Sequence, residues 1–151
     1  IYKMALRTHS STAVEKYSQE AADKCVPLDS ELIKEAISLF TQIHHCGSVL
    51  AEVFFAMMIS RILYGSVPAP GTMVIFSILL ATCSIGTPGL PWGTVMVSLG
   101  TLTGILKFGD SGVALMFAVF ALNDAFAAAC NATCDGAAAL FLTGYVKRHD
   151  L

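Results

Sequence analysis

Charge is what this chain has least of. Asp, Glu, Lys and Arg together make up 13% of its 151 residues, about half the share usual in a soluble domain, while 55% are apolar. The scarcity is local as well as global: residues 1–36 hold eleven of the twenty formal charges. Water is therefore not the main solvent of residues 37–151. Several function classes drop out with the missing features. The near-neutral net charge and the lack of a basic stripe interleaved with aromatics exclude nucleic acid as a partner. No nucleophile and base stand at a motif spacing, which argues against an enzyme. The five cysteines (Cys25, Cys46, Cys83, Cys130, Cys134) form no CxxC pair, so no disulfide framework is implied, and a thiol in an apolar segment behaves as a small hydrophobe. No signal-peptide pattern opens the chain, which starts at Ile1 and reads as a piece of a longer protein.

The apolar residues fall into runs of unequal length. Gly47 to Gly65 is apolar apart from Glu52 and Arg61 and is long enough to span a bilayer. Gly71 to Ile85 and Thr94 to Leu106 are shorter than the roughly 20 residues a crossing needs, and Gly86-Thr87-Pro88-Gly89-Leu90-Pro91-Trp92-Gly93 separates them. Short apolar segments on either side of a Gly/Pro-rich break predict a re-entrant helical hairpin, because open backbone at membrane depth persists only where protein or a solvated cavity satisfies it. Two buried helices of a soluble bundle are the plainer alternative. Gly112 to Val146 is a second long run, apolar at both ends and polar in its middle. Pro27-Leu28-Asp29-Ser30 breaks the charged N-terminal part and caps a helix from Glu31 onward. The expected fold is thus an all-α membrane protein with transmembrane helices and a re-entrant hairpin. Its segments are 1–36, 37–67, 68–106 and 107–151. Seven basic residues on the side of the termini against Arg61 and Lys107 place both termini in the cytoplasm.

Asp124, Asn131 and Asp135 are spaced by seven and four residues, which puts them within roughly 40° of one another on a helix. A carboxylate at the centre of a membrane helix costs on the order of 2.5 kcal/mol or more, so such a face looks into a cavity and binds something cationic. A carboxylate paired with a neighbouring helix for packing alone is the other reading. The small residues around the stripe, Ala125, Ala127 to Ala129, Ala132 and Gly136 to Ala138, let another helix or backbone come close.

Ser84-Ile85-Gly86-Thr87-Pro88-Gly89-Leu90-Pro91, followed by Asp124 and Asn131-Ala132-Thr133-Cys134-Asp135, resembles the dicarboxylate/amino acid:cation symporter family, the glutamate transporter fold. Thr8-His9-Ser10-Ser11-Thr12-Ala13 is similar to the serine-rich tip of that family's first hairpin. Residues 47–65 are similar to its broken seventh span, 71–106 to its second hairpin and 112–146 to its eighth span.

The resemblance implies an elevator-type secondary transporter, of which this chain is the C-terminal half of the transport core. It further implies a multi-pass protein of the cell (inner) membrane and a homotrimer built through a missing N-terminal part. No cofactor and no resident metal are implied, with Na⁺ or H⁺ as the coupling ion.

By the same resemblance Asp124 holds a substrate ammonium group, Asn131 its main carboxylate and a cation, and Asp135 a sodium ion. Ser10, Ser11, Gly86, Thr87, Pro88 and Gly89 approach substrate, and Gly47 and Ser84 approach the cation. Ala127 stands where acidic-substrate members place an arginine, which favours a small neutral amino acid. His44-His45-Cys46-Gly47-Ser48 replaces the family's Asn-Met-Asp-Gly-Thr element and so puts one sodium site in doubt. Glu52 falls where proton-coupled members place a glutamate, and a buried carboxylate can carry a proton across; the plain alternative is a glutamate facing a polar crevice. Two further readings stay open. His44, His45 and Cys46, with Cys130 and Cys134, suit a soft metal ion and a metal permease, and the altered motif positions suit a non-transporting paralogue.

Overall fold

The computed structural model describes residues 1–24, 29–87 and 93–149. Among them every regular element is helical: α1 (Tyr2–Thr8), a 3-10 turn (Thr12–Val14), α2 (Glu15–Ala22), α3 (Ser30–Ile43), α4 (Cys46–Tyr64), α5 (Pro70–Ile85), α6 (Gly93–Gly104) and α7 (Asp110–Arg148). Pro27, Leu28, Pro88, Gly89 and the rest of 88–92 lie outside the described residues.

The local chemistry sets most boundaries. Asp29 caps α3 as the sequence predicts, its carboxylate accepting from Glu31 N at 2.9 Å and Leu32 N at 3.0 Å. Gly65 ends α4 in the left-handed region at φ 77°, which a residue without Cβ adopts at no cost. Pro70 opens α5 at a position whose N–H has no partner inside the helix. Between α3 and α4 the chain is out of helix for two residues, with His44 at φ −106°, ψ 94° and His45 at φ −109°, ψ 41°. His, Cys, Gly and Ser are weak helix formers, but the deciding cause is the Asn131 side chain of α7, which takes the N–H groups of Gly47 and Ser48.

Residues 30–64 and α7 are each long and apolar enough to cross a bilayer, whereas α5 is not. At 16 and 12 residues, α5 and α6 reach about 24 and 18 Å, short of a hydrocarbon core about 30 Å thick. They pack on each other, α5 also on α4 and α3, and α6 on α7 and α4.

Three apolar clusters lie along α7. Its first part, through Met116 and Phe120, packs with Ala56 and Ile59 of α4, Met73, Phe76 and Leu80 of α5, and Val95 and Leu102 of α6. Ala129 and Ala132 pack with Ala5 and Val14, and Ala139 packs with Ala22, Ile33, Ala36 and Ile37. The predicted polar stripe falls between the first cluster and the last. Large apolar side chains stay exposed on the outside, among them Leu50, Ile62, Leu122 and Phe141, as suits a surface facing lipid or other helices.

Candidate functional site

The stripe is buried. Asp124, Asn131 and Asp135 are 5%, 3% and 1% exposed, in a stretch of α7 made largely of alanine, so each must be compensated by a specific group.

Asn131 reaches into the gap between α3 and α4. Its Oδ1 accepts from Gly47 N at 2.7 Å and from Ser48 N at 3.3 Å, and its Nδ2 donates to Ser48 Oγ at 2.9 Å. In a continuous helix those two N–H groups would bond to the carbonyls of Ile43 and His44. Asn131 therefore caps α4 from another helix, in place of the missing cap on His45. Gly47 makes this possible, since a Cβ there would come within 2.7 Å of Ala127 O and of Cys130 Cβ. Ala127, 2% exposed, closes the same contact.

Asp135 meets His44. The His44 Nδ1 and Asp135 Oδ1 are 2.9 Å apart, and Thr41 of α3 stands beside the carboxylate. Asp124 meets the turn after α1: His9 Nδ1 lies 3.8 Å from Asp124 Oδ2, and His9 holds a left-handed backbone at φ 54°. That turn brings Ser10 and Ser11, both buried, towards the α7 face, with Ser10 Oγ accepting from Ala13 N at 3.2 Å.

The end of α5 contributes less directly. Ser84 Oγ donates to Ala81 O at 2.8 Å and Thr87 Oγ1 to Ser84 O at 2.7 Å, so both buried hydroxyls bond α5's own last turn. Gly86 closes that turn with its N–H on Cys83 O. An open cavity of about 610 Å³ separates the end of α5 from the helix break, lined by His44, His45, Cys46, Ser77, Ala81 and Ser84 among others. Pro88 and Gly89, the other predicted tip residues, are not among those described.

Glu52 is fully buried on α4. Neither carboxyl oxygen bonds to a described residue, and the neighbouring Ser98 hydroxyl on α6 donates to Val95 O at 3.0 Å. It does not face an open crevice. Arg61, on the opposite side of α4, donates to Gly65 O at 2.6 Å at the exposed helix end.

Sequence reasoning singled out the stretches that hold His9 and His44 but did not connect either with the α7 carboxylates they stand against, and His45 is buried with neither ring nitrogen bonded to a described residue. Among the described residues no three His, Cys, Asp or Glu side chains group to hold a metal ion. The described cysteines are free thiols.

Two apolar stretches long enough to cross a membrane thus converge on a buried row of two carboxylates and an amide, with the chain out of helix at that row. The model of the sodium:dicarboxylate symporter family matches residues 1–144, and the chain belongs to that family. Neither the curated proteins nor the solved structures gave a match. Membership carries symport of small carboxylates and a membrane setting as the family's general activity.

Proposed function

We propose that this chain is the C-terminal half of the transport core of a symporter that moves an amino acid or related small carboxylate together with Na⁺ and/or H⁺. The observation that carries this reading is the buried Asp124–Asn131–Asp135 face, threaded into a helix break through Asn131. Broken helices expose backbone groups and helix ends to a bound ion or carboxylate, and a neighbouring row of acids supplies the counter-charge.

In this reading Asp124 takes the substrate ammonium and Asn131 the main carboxylate. Asp135, Asn131 and backbone near Gly47 and Ser84 take the cation, since hard cations prefer oxygen. Ser10, Ser11, Gly86, Thr87, Pro88 and Gly89 close around the substrate from the two hairpin tips. Helices α5 and α6 act as a re-entrant lid, which their length below one bilayer crossing supports. Glu52 carries a proton. Ala127 offers no guanidinium, which favours a small neutral amino acid over a dicarboxylate. The full protein is a homotrimer of the cell (inner) membrane.

The test is uptake by the full-length protein in vesicles, with Na⁺ and H⁺ gradients imposed separately. Accumulation of labelled alanine or serine driven by either gradient supports the reading. Preference for labelled aspartate removes the neutral-substrate assignment, and no uptake of any amino acid or dicarboxylate under either gradient removes the symport assignment.

A further inference from the structure

Asp135 is the most deeply buried acid of the α7 row, and its Oδ1 is occupied by His44 Nδ1 at 2.9 Å. A carboxylate only accepts, so the ring presents N–H at Nδ1 and a neutral imidazole suffices. Asp135 Oδ2 receives no hydrogen bond from a described residue, and the Thr41 hydroxyl stands next to the group. Asp135 and Thr41 therefore bring oxygen atoms together beside a carboxylate that one N–H donor serves.

His44 is placed so that it can leave. It sits in the two-residue gap between α3 and α4, in extended conformation, so no helical turn fixes its side chain. Its side chain is 34% exposed and lines the 610 Å³ cavity below α5. The Phe40 ring stands near it, edge to face at 6.3 Å. The ring thus has an open side into which to turn.

We infer that His44 is a tethered competitor of the coupling cation: the ring Nδ1–H and the cation are alternative partners of Asp135, and the cation enters by displacing the ring towards the cavity under α5. This rests on the proposed role of Asp135 as a cation ligand. The exchange trades a hydrogen bond for an ion contact and requires no change of protonation in either group. It makes His44 a residue that sets cation affinity without itself being a ligand.

Equilibrium binding of labelled Na⁺ and the Na⁺-induced rise in melting temperature test this on the full-length protein. His44→Ala should bind Na⁺ roughly tenfold or more tightly than wild type, because a hydrogen bond to a charged group no longer competes. Asp135→Asn should abolish the site. Equal or weaker binding by a folded His44→Ala protein overturns the inference, as does absence of Na⁺ binding from both. If His44→Ala does not fold, solid-state ¹⁵N spectra of histidine-labelled wild type decide: one Nδ1 signal should move with the half-saturation of Na⁺ binding, and spectra unchanged by saturating Na⁺ overturn the inference. Neither readout involves uptake. A protein that shows this competition but moves no solute rejects the symport reading alone, and one that transports without it rejects the competitor role alone.

Discussion

Replacing Asn131 with Ala removes the group that holds the α3–α4 gap against α7. Three hydrogen bonds disappear, two accepted from Gly47 N and Ser48 N and one donated to Ser48 Oγ. Interhelical hydrogen bonds in membrane proteins are worth about 0.6–1.7 kcal/mol each, so the substitution should cost about 2–5 kcal/mol. The upper part of that range applies if no water reaches the two orphaned N–H groups, since a buried unpaired donor keeps its whole desolvation penalty. Ser48→Ala, which deletes only the Asn131 Nδ2 contact, should cost about 1 kcal/mol. The double variant should cost less than the sum of the two, because the partners are coupled. Unfolding by denaturing detergent, titrated into micelles of the purified protein, measures all three. Amide exchange at Gly47 and Ser48 should accelerate in Asn131→Ala and stay slow in Ser48→Ala. A loss below about 1 kcal/mol for Asn131→Ala, with exchange at Gly47 unchanged, would refute the capping role and with it the explanation of why the helix breaks here.

Gly47→Ala forces a Cβ to 2.7 Å from Ala127 O and Cys130 Cβ and should cost about 1–3 kcal/mol through overpacking, read in the same detergent titration; a neutral result would mean that α4 and α7 lie farther apart. Glu52→Gln in the full-length protein should flatten the pH dependence of uptake, and an unchanged profile removes the proton-carrier role. Asp23 is held below the usual carboxylate range by the hydrogen bond from Lys34 and then that from Ser30. Its stabilising effect is therefore complete above its unfolded-state value near 3.8 and is lost as pH falls through the lower folded value. Amide protection in the first turn of α3, measured relative to the intrinsic exchange rate at each pH, should fall with acid below about pH 4, and Lys34→Met should weaken that acid dependence while the Ser30 hydrogen bond remains.

The sequence carried the face of α7 because seven- and four-residue spacings on one helix are local information, and Asp124, Asn131 and Asp135 are indeed buried together. The cap at Asp29, the stop at Gly65 and the two short helices after Pro70 were legible for the same reason. Partnership across the fold was not. His44 and Asp135 are 91 residues apart, and nothing in the periodicity around either one names the other. Weak helix formers at 44–48 marked a vulnerable stretch, but the break required Asn131 to compete for its N–H groups, a contact visible only in three dimensions. Ser84 and Thr87, named from the sequence as cation- and substrate-facing residues, donate their hydroxyls to carbonyls of the last turn of α5, a local bond that serine and threonine commonly make and that spacing alone does not reveal.

Helix α7 runs unbroken for 39 residues, about 58 Å from end to end. From Phe120, among the side chains of α5 and α6, to Ala139, among those of α2 and α3, is a stiff lever of about 28 Å. A tilt of about 5° at one end shifts the other by about 2.5 Å, close to the length of a hydrogen bond. Any rocking of the short helix pair is thus delivered mechanically to the charged N-terminal segment, with no loop in between to absorb it.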